Sequence, residues 1–164
     1  LHRVDRRQRQ MCIRDSSYLM TLGLETLSLR VRHEVESARR LAEYCRNHPK
    51  VERVSFVGFE SHPSYANAKK YFRFGSSAVF TIELKGTLDS TVRFVESLNL
   101  AAHMVMIGDS VTVVTHPAST THKQLSDADL AAAGVTPTML RISVGLENTD
   151  DLIDDFEQAF AHIG

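Results

Sequence analysis

The segment Met139–Val144 has the apolar residues of a buried β-strand, yet it carries an arginine, Arg141, in its middle. A cation that leaves water is costly unless an anion or several hydrogen-bond acceptors face it. The chain must therefore bring a partner to Arg141. One interpretation is an edge-strand ion pair with Glu147 or with an acid of the last helix. The other is a clamp for the carboxylate of a bound molecule, which the planar guanidinium fits better than an ammonium does.

A polar loop with the sequence HPASTTH, His116–His122, precedes this strand. Its two histidines have no Cys-x-x-Cys or His-Glu-x-x-His pattern beside them, so loop hydrogen bonding is favoured over metal binding. Ser119 has no Gly-x-Ser-x-Gly turn around it, which argues against a serine nucleophile. The sequence therefore predicts no metal site and no catalytic serine in this loop.

Length and charge favour one globular domain. The chain has 164 residues, 43% hydrophobic and 24% charged, with a net charge of −1, and these values indicate no nucleic-acid partner. No apolar run reaches the ~20 residues of a membrane span, and no apolar core follows the basic N-terminus. Two cysteines are too few for a disulfide framework, and Cys45 falls on the apolar side of a helix, as a core residue does. We expect a cytoplasmic protein.

Residues 1–16 differ in composition from the rest of the chain. They hold five arginines and two acids, which leaves 14 basic and 18 acidic residues for the remainder. A basic arm that binds phosphates is one interpretation. The run RRQRQMCIRDS also resembles translated sequencing-adapter sequence. We therefore interpret 1–16 as a non-native segment and exclude it from the prediction of the fold.

Hydrophobic periodicity alternates between helical and strand patterns along the remaining chain. Three- and four-residue spacing of apolar side chains predicts one long helix over 18–47, with Gly23 as a weak point that costs about 1 kcal/mol. Strands are predicted over 51–57, 77–84, 103–107, 111–115 and 139–144, and helices over 65–72, 88–98 and 126–133, with a last helix capped by Thr149. This order is typical of an α+β domain whose small, mostly antiparallel sheet is covered by helices.

Several stretches in register resemble the C-terminal domain of the Cys/Met-metabolism family of pyridoxal-phosphate (PLP) enzymes. They are HPASTTHKQL, AAGVTP and LRISVGLEN, preceded by GLETLSLRVRHEVESARRLAEY at 23–44, HPKVERVSFVG at 48–58, AKKYFRFGSSAVFTIELKG at 68–86 and FVESLNL at 94–100. The resemblance covers 17–164. Among the members of the family, the O-acetylhomoserine sulfhydrylases are the most similar.

The resemblance implies the C-terminal small domain of a fold-type-I PLP-dependent transferase, with 17–47 as the interdomain linker helix and 48–164 as the domain itself. In the family, the Schiff-base lysine and the phosphate site lie in a large domain that this chain does not contain. The implied reaction replaces the acetyl-oxy group of O-acetylhomoserine with sulfide or a thiol, in a homotetramer whose PLP is the electron sink for the carbanions. The resemblance thus implies neither catalytic nor cofactor-binding residues here, and a fragment that is inactive alone.

The resemblance also implies four substrate-binding residues. Arg141 falls on the family's arginine for the substrate α-carboxylate, and Thr121 falls on the threonine beside it. Met106 and Ile107 fall on a segment that lines the same site. Sulfhydrylases usually have asparagine where this chain has Met106, and a basic or polar residue is common where it has Val111. These departures bear on the choice of substrate and leave Arg141 unaffected.

The sequence leaves two classes of function open. The first is the catalytic family, with cystathionine γ-synthase and methionine γ-lyase as alternatives to the sulfhydrylase. The second is a free-standing ligand-binding or interaction domain that uses the same α+β scaffold without a cofactor. An upstream reading frame that encodes the cofactor lysine would decide for the first.

Overall fold

The computed structural model describes residues 6–163. Helices and strands alternate along these residues. The helices are α1 (Arg6–Glu25), α2 (Leu27–Asn47), α3 (Tyr65–Tyr71), α4 (Leu88–Glu96), α5 (Asp127–Ala132) and α6 (Thr149–Ala161), with a 3-10 helix at Pro117–Ser119. The strands are β1 (Val51–Ser55), β2 (Val79–Leu84), β3 (Ala102–His103), β4 (Val113–Thr115) and β5 (Met139–Ser143).

The five strands form one sheet in the order β1-β2-β5-β4-β3. Antiparallel pairs join β1 to β2, β2 to β5 and β5 to β4, whereas β3 and β4 run parallel. Strand β5 therefore lies at the centre of the sheet. The predicted α+β fold with a mostly antiparallel sheet is confirmed.

Alternation along β5 separates a core face of the sheet from a polar face. Leu140 and Ile142 are both 0% exposed and belong to the hydrophobic core. Arg141, between them, pairs with Thr81 on β2 and with Thr115 on β4. Directly paired residues share a face of the sheet. The opposite face therefore carries Arg141 between two threonines.

Three helices close the core. Helix α2 packs against β1, β2 and α6, and α6 also packs against α4. Aromatic contacts join α4 to α6, and the ring centroids of Phe94 and Phe160 are 4.7 Å apart. Cys45 is fully buried in the same core, and burial raises the pKa of its thiol well above the ordinary value. Its predicted place in the core is confirmed.

The prediction of one continuous helix over 18–47 is wrong. Helical structure begins at Arg6 and is interrupted at Thr26, which has φ −105° and ψ 0°. The Gly23 carbonyl instead accepts a hydrogen bond from the Arg30 Nη2 at 2.6 Å, and the Arg30 Nε donates to the Thr26 hydroxyl at 3.3 Å. The break thus follows the glycine whose weak helix propensity the sequence shows. The origin of residues 1–16 stays a prediction.

The predicted strand over 103–107 is also wrong, because only Ala102 and His103 pair with β4. Residues 104–112 form a loop, and a parallel pair needs such a connection because its strands cannot be joined by a tight turn. Polar contacts to the sheet hold this loop, and the Gly108 amide donates to the Ser143 hydroxyl at 3.1 Å. The apolar composition of 103–107 predicted a strand. Hydrogen bonds between the loop and the sheet instead determine the structure there.

The cap of the last helix lies one residue earlier than predicted. The Asn148 side chain accepts a hydrogen bond from the Asp150 amide at 2.8 Å, so Asn148 is the N-cap of α6. Thr149 is buried and its hydroxyl donates to the Ser37 hydroxyl at 2.9 Å. The threonine therefore ties α6 to α2 instead of capping the helix.

Helix α1 and the start of α2 expose a large apolar surface. The exposed fraction is 67% for Leu19, 64% for Leu24 and 67% for Leu29. The apolar stripe becomes buried only from Ala38 onward. Contiguous exposed apolar surface of this kind marks an interface or an aggregation liability. Within residues 6–163, no helix is both long enough and apolar enough to cross a membrane.

We expect this apolar surface to make the chain self-associate in solution. Replacing Leu19 and Leu29 together with glutamate should shift the sedimentation of the chain from oligomer towards monomer, because charged side chains oppose burial of the surface. The matched control is Ala66→Glu on α3, an exposed position away from these leucines. An unchanged sedimentation profile for the double variant would contradict the prediction.

Candidate functional site

The guanidinium of Arg141 is held by two uncharged acceptors. Its Nη2 donates to the Thr115 hydroxyl at 3.2 Å and to the Met106 main-chain carbonyl at 3.3 Å. Its Nε is buried and has no hydrogen-bond partner among the described residues. A buried donor of a charged group without a partner is costly. The surroundings of Arg141 therefore leave both its charge and one donor uncompensated.

The interpretation of Arg141 as the partner of Glu147 or of an acid of the last helix is wrong for the described residues. The Glu147 carboxylate instead accepts hydrogen bonds from the Thr112 amide at 2.6 Å and from the Thr112 hydroxyl at 2.7 Å. Within residues 6–163, no salt bridge involves Arg141. The Glu147 carboxylate thus binds the 104–112 loop at Thr112. The carboxylate clamp stays a prediction.

Thr115 is a polar residue of the site that the sequence did not reveal. It is 1% exposed, and its hydroxyl donates to the Met104 carbonyl at 2.6 Å while it accepts from Arg141. The apolar segment 111–115 gave no sign of this role. Only the register of β4 against β5, which pairs Thr115 with Arg141, places the hydroxyl beside the guanidinium.

Gly145 and Glu147 fix the far end of the 104–112 loop against β5. A Cβ atom on Gly145 would lie 2.5 Å from the Ser110 carbonyl oxygen, so only glycine allows this approach. The Gly145 amide donates to the Thr112 hydroxyl at 2.9 Å, and the Leu146 amide donates to Ser110 at 2.8 Å. The SVGLE motif thus holds the loop whose Met106 carbonyl contacts the arginine.

The HPASTTH loop turns next to β5. His116 is 1% exposed, and its Nε2 lies 2.9 Å from the Pro137 carbonyl and its Nδ1 2.8 Å from the Ser119 hydroxyl. Because a carbonyl only accepts, Nε2 carries the hydrogen and Nδ1 accepts from Ser119. His116 thus forms hydrogen bonds with Ser119 of its own loop and with Pro137. Within the described residues, no cluster of three or more potential ligand side chains could hold a metal ion.

The four predicted substrate-binding residues differ in how close the structure brings them to one another. Met106 reaches Arg141 through its main-chain carbonyl, while its side chain is 46% exposed. Ile107 follows it and is 61% exposed. Thr121 is exposed and its hydroxyl bonds to His122 Nδ1 at 2.8 Å, with no hydrogen bond to Arg141 among the described residues. Substrate binding by these residues stays a prediction.

The residues around Arg141 do not form a PLP site by themselves. A Schiff base needs a lysine amine, and no lysine of the described residues hydrogen-bonds to the Arg141 cluster. The Lys50 ammonium donates instead to the Phe160 carbonyl at 2.7 Å. The cluster offers guanidinium donors, which suit a carboxylate.

Known relatives resemble this chain over most of its length. Homocysteine synthase from Schizosaccharomyces pombe is 46% identical over 142 residues, which are 87% of this chain and 33% of the relative. O-acetyl-L-homoserine sulfhydrylase 1 from Thermus thermophilus is 43% identical over 145 residues, which are 88% of this chain and 34% of the relative. The chain thus spans about a third of the length of the curated relatives it matches.

A solved structure shares the fold. It is assigned as an O-acetylhomoserine (thiol)-lyase from Campylobacter jejuni and contains a pyridoxyl-lysine monophosphate. Its TM-score is 0.82 at 36% identity, over 88% of this chain and 34% of that chain. A model of the Cys/Met metabolism PLP-dependent enzymes matches residues 2–161. These matches show that the chain belongs to the Cys/Met metabolism family of PLP-dependent enzymes.

Proposed function

We propose that this chain is the part of a PLP-dependent O-acetylhomoserine sulfhydrylase that holds the α-carboxylate of the substrate. One observation carries the proposal: among the described residues the Arg141 guanidinium has no anionic partner, and its Nη2 contacts only uncharged acceptors. A bound carboxylate supplies the missing negative charge. The names of the relatives support the choice of reaction.

The proposed reaction joins sulfide to the γ-carbon of O-acetylhomoserine and releases acetate, so that homocysteine forms. With methanethiol in place of sulfide, the product is methionine. The residues of this chain bind and orient the amino acid in that scheme. We propose that the cofactor and its lysine lie in a large domain outside this chain, which makes this chain inactive alone.

The role of the chain's own residues is to fix one end of the substrate. Arg141 lies on the central strand, whose neighbours on both sides limit its movement. The 104–112 loop, anchored by Glu147 and Gly145, covers the guanidinium with the Met106 carbonyl. Holding the substrate at its carboxylate limits where its γ-carbon can lie, which favours reaction through orientation.

An assay of the full-length holoenzyme tests this function. We expect homocysteine and acetate to form in equal amounts from O-acetyl-L-homoserine and sulfide, and no product when sulfide is omitted. The matched control is the same assay with the isolated chain, for which we expect no turnover. Formation of a 2-oxo acid from methionine, without sulfhydrylation, would contradict the proposal and assign a γ-lyase instead.

A further inference from the structure

We propose that Thr115 is a positioning residue, which orients the Arg141 guanidinium for the substrate carboxylate. The inference rests on the proposed function, since it concerns the same carboxylate. The relevant geometry is the pair of hydrogen bonds at one hydroxyl, from Arg141 Nη2 at 3.2 Å and to the Met104 carbonyl at 2.6 Å. Thr115 itself makes no contact with the substrate in this scheme.

The direction of both hydrogen bonds at Thr115 is determined by chemistry. A guanidinium has donors only, so the hydroxyl oxygen must accept from Arg141. A carbonyl has acceptors only, so the single hydroxyl hydrogen must point at Met104. The hydroxyl thus has one orientation, and it is 1% exposed, so water does not compete for it.

This arrangement fixes the plane of the guanidinium before a ligand arrives. Thr115 faces Arg141 directly across β4 and β5, so the length of the contact is set by the sheet. The same hydroxyl ties the 104–112 loop to the strand at Met104, two residues before the carbonyl that also contacts the guanidinium. A guanidinium whose N–H donors are already oriented loses less conformational freedom when it binds a carboxylate.

Replacing Thr115 with valine tests the inference, because valine keeps the shape of the side chain and removes the hydroxyl. In the full-length holoenzyme, we expect KM for O-acetylhomoserine to rise about tenfold, which is about 1.4 kcal/mol, as for loss of a hydrogen bond to a charged group. KM for sulfide, kcat and the cofactor absorbance should stay within about twofold. Thr115→Ser should restore the original KM because serine returns the hydroxyl.

Thr81 offers the matched control, since it pairs with Arg141 from the other side. Its hydroxyl makes no hydrogen bond to Arg141 among the described residues, so Thr81→Val should leave KM unchanged. In the Arg141→Ala background, Thr115→Val should add nothing, because Thr115 acts through the arginine.

Additive effects in that double variant, or an unchanged KM in Thr115→Val, would overturn the inference while the proposed function stands. A wild-type holoenzyme that does not convert O-acetylhomoserine would overturn the proposed function itself, and the role of Thr115 with it.

Discussion

Replacing Arg141 with alanine is expected to raise KM for the amino-acid substrate by about 100-fold or more in the full-length holoenzyme. In the proposed complex, the change removes the cation that pairs with the substrate carboxylate, and loss of one partner of a buried charge pair typically costs about 2–5 kcal/mol or more. Arg141→Lys should also raise KM sharply, since an ammonium keeps the charge but loses the planar fork. Cofactor absorbance should be unchanged, because the proposed role of the arginine is to bind the substrate and not PLP.

Arg53 provides the control for this experiment. It is also a strand arginine, but its guanidinium pairs with Glu83 and its side chain is 63% exposed. Arg53→Ala should therefore leave KM for the amino acid unchanged. Kinetics with O-acetylhomoserine varied at saturating sulfide separate the two variants. If Arg141→Ala and Arg53→Ala showed the same KM, the assignment of the carboxylate clamp to Arg141 would be withdrawn.

The fold could be predicted from the sequence wherever the hydrophobic periodicity agrees with the positions of helix-capping and turn residues. Strand β5 and helix α6 are set by dense apolar patterns, and the Ser126 cap of α5 accepts a hydrogen bond from the Asp129 amide as its pattern predicts. Gly23 indicated a weak point, but the place of the break at Thr26 was not predicted, because the apolar stripe continues through it. A side-chain contact from Arg30, one turn later, replaces the lost helical hydrogen bond.

The site could be predicted only in part. Arg141 stands out in sequence because a charge within an apolar strand is unusual. The identity of its neighbours depends on strand register and on the loop connecting β3 to β4, which are long-range features. Thr115 therefore looked like an ordinary strand residue, and Glu147 like the nearest acid. Local composition does not show that Glu147 binds Thr112 instead.

Gly145→Ala is expected to destabilise the chain by about 3 kcal/mol in urea denaturation, because the new methyl group has no room. It would lie 2.5 Å from the Ser110 carbonyl oxygen and the Val111 carbonyl carbon, and 2.6 Å from the Thr112 amide nitrogen. All three atoms belong to the main chain, so relief requires the 104–112 loop to move away from β5. Forcing extra atoms into a packed site costs about 1–3 kcal/mol, at times more.

Gly23→Ala is the matched control, since it adds the same methyl group where nothing lies within 4 Å. Alanine favours helix over glycine, so this variant should be more stable than the wild type by up to about 1 kcal/mol. The two substitutions are chemically identical and opposite in expected sign. Equal stability of the two variants would mean that the 104–112 loop moves away from Gly145 at little cost in free energy. Such a loop would not hold the Met106 carbonyl at a fixed place over Arg141.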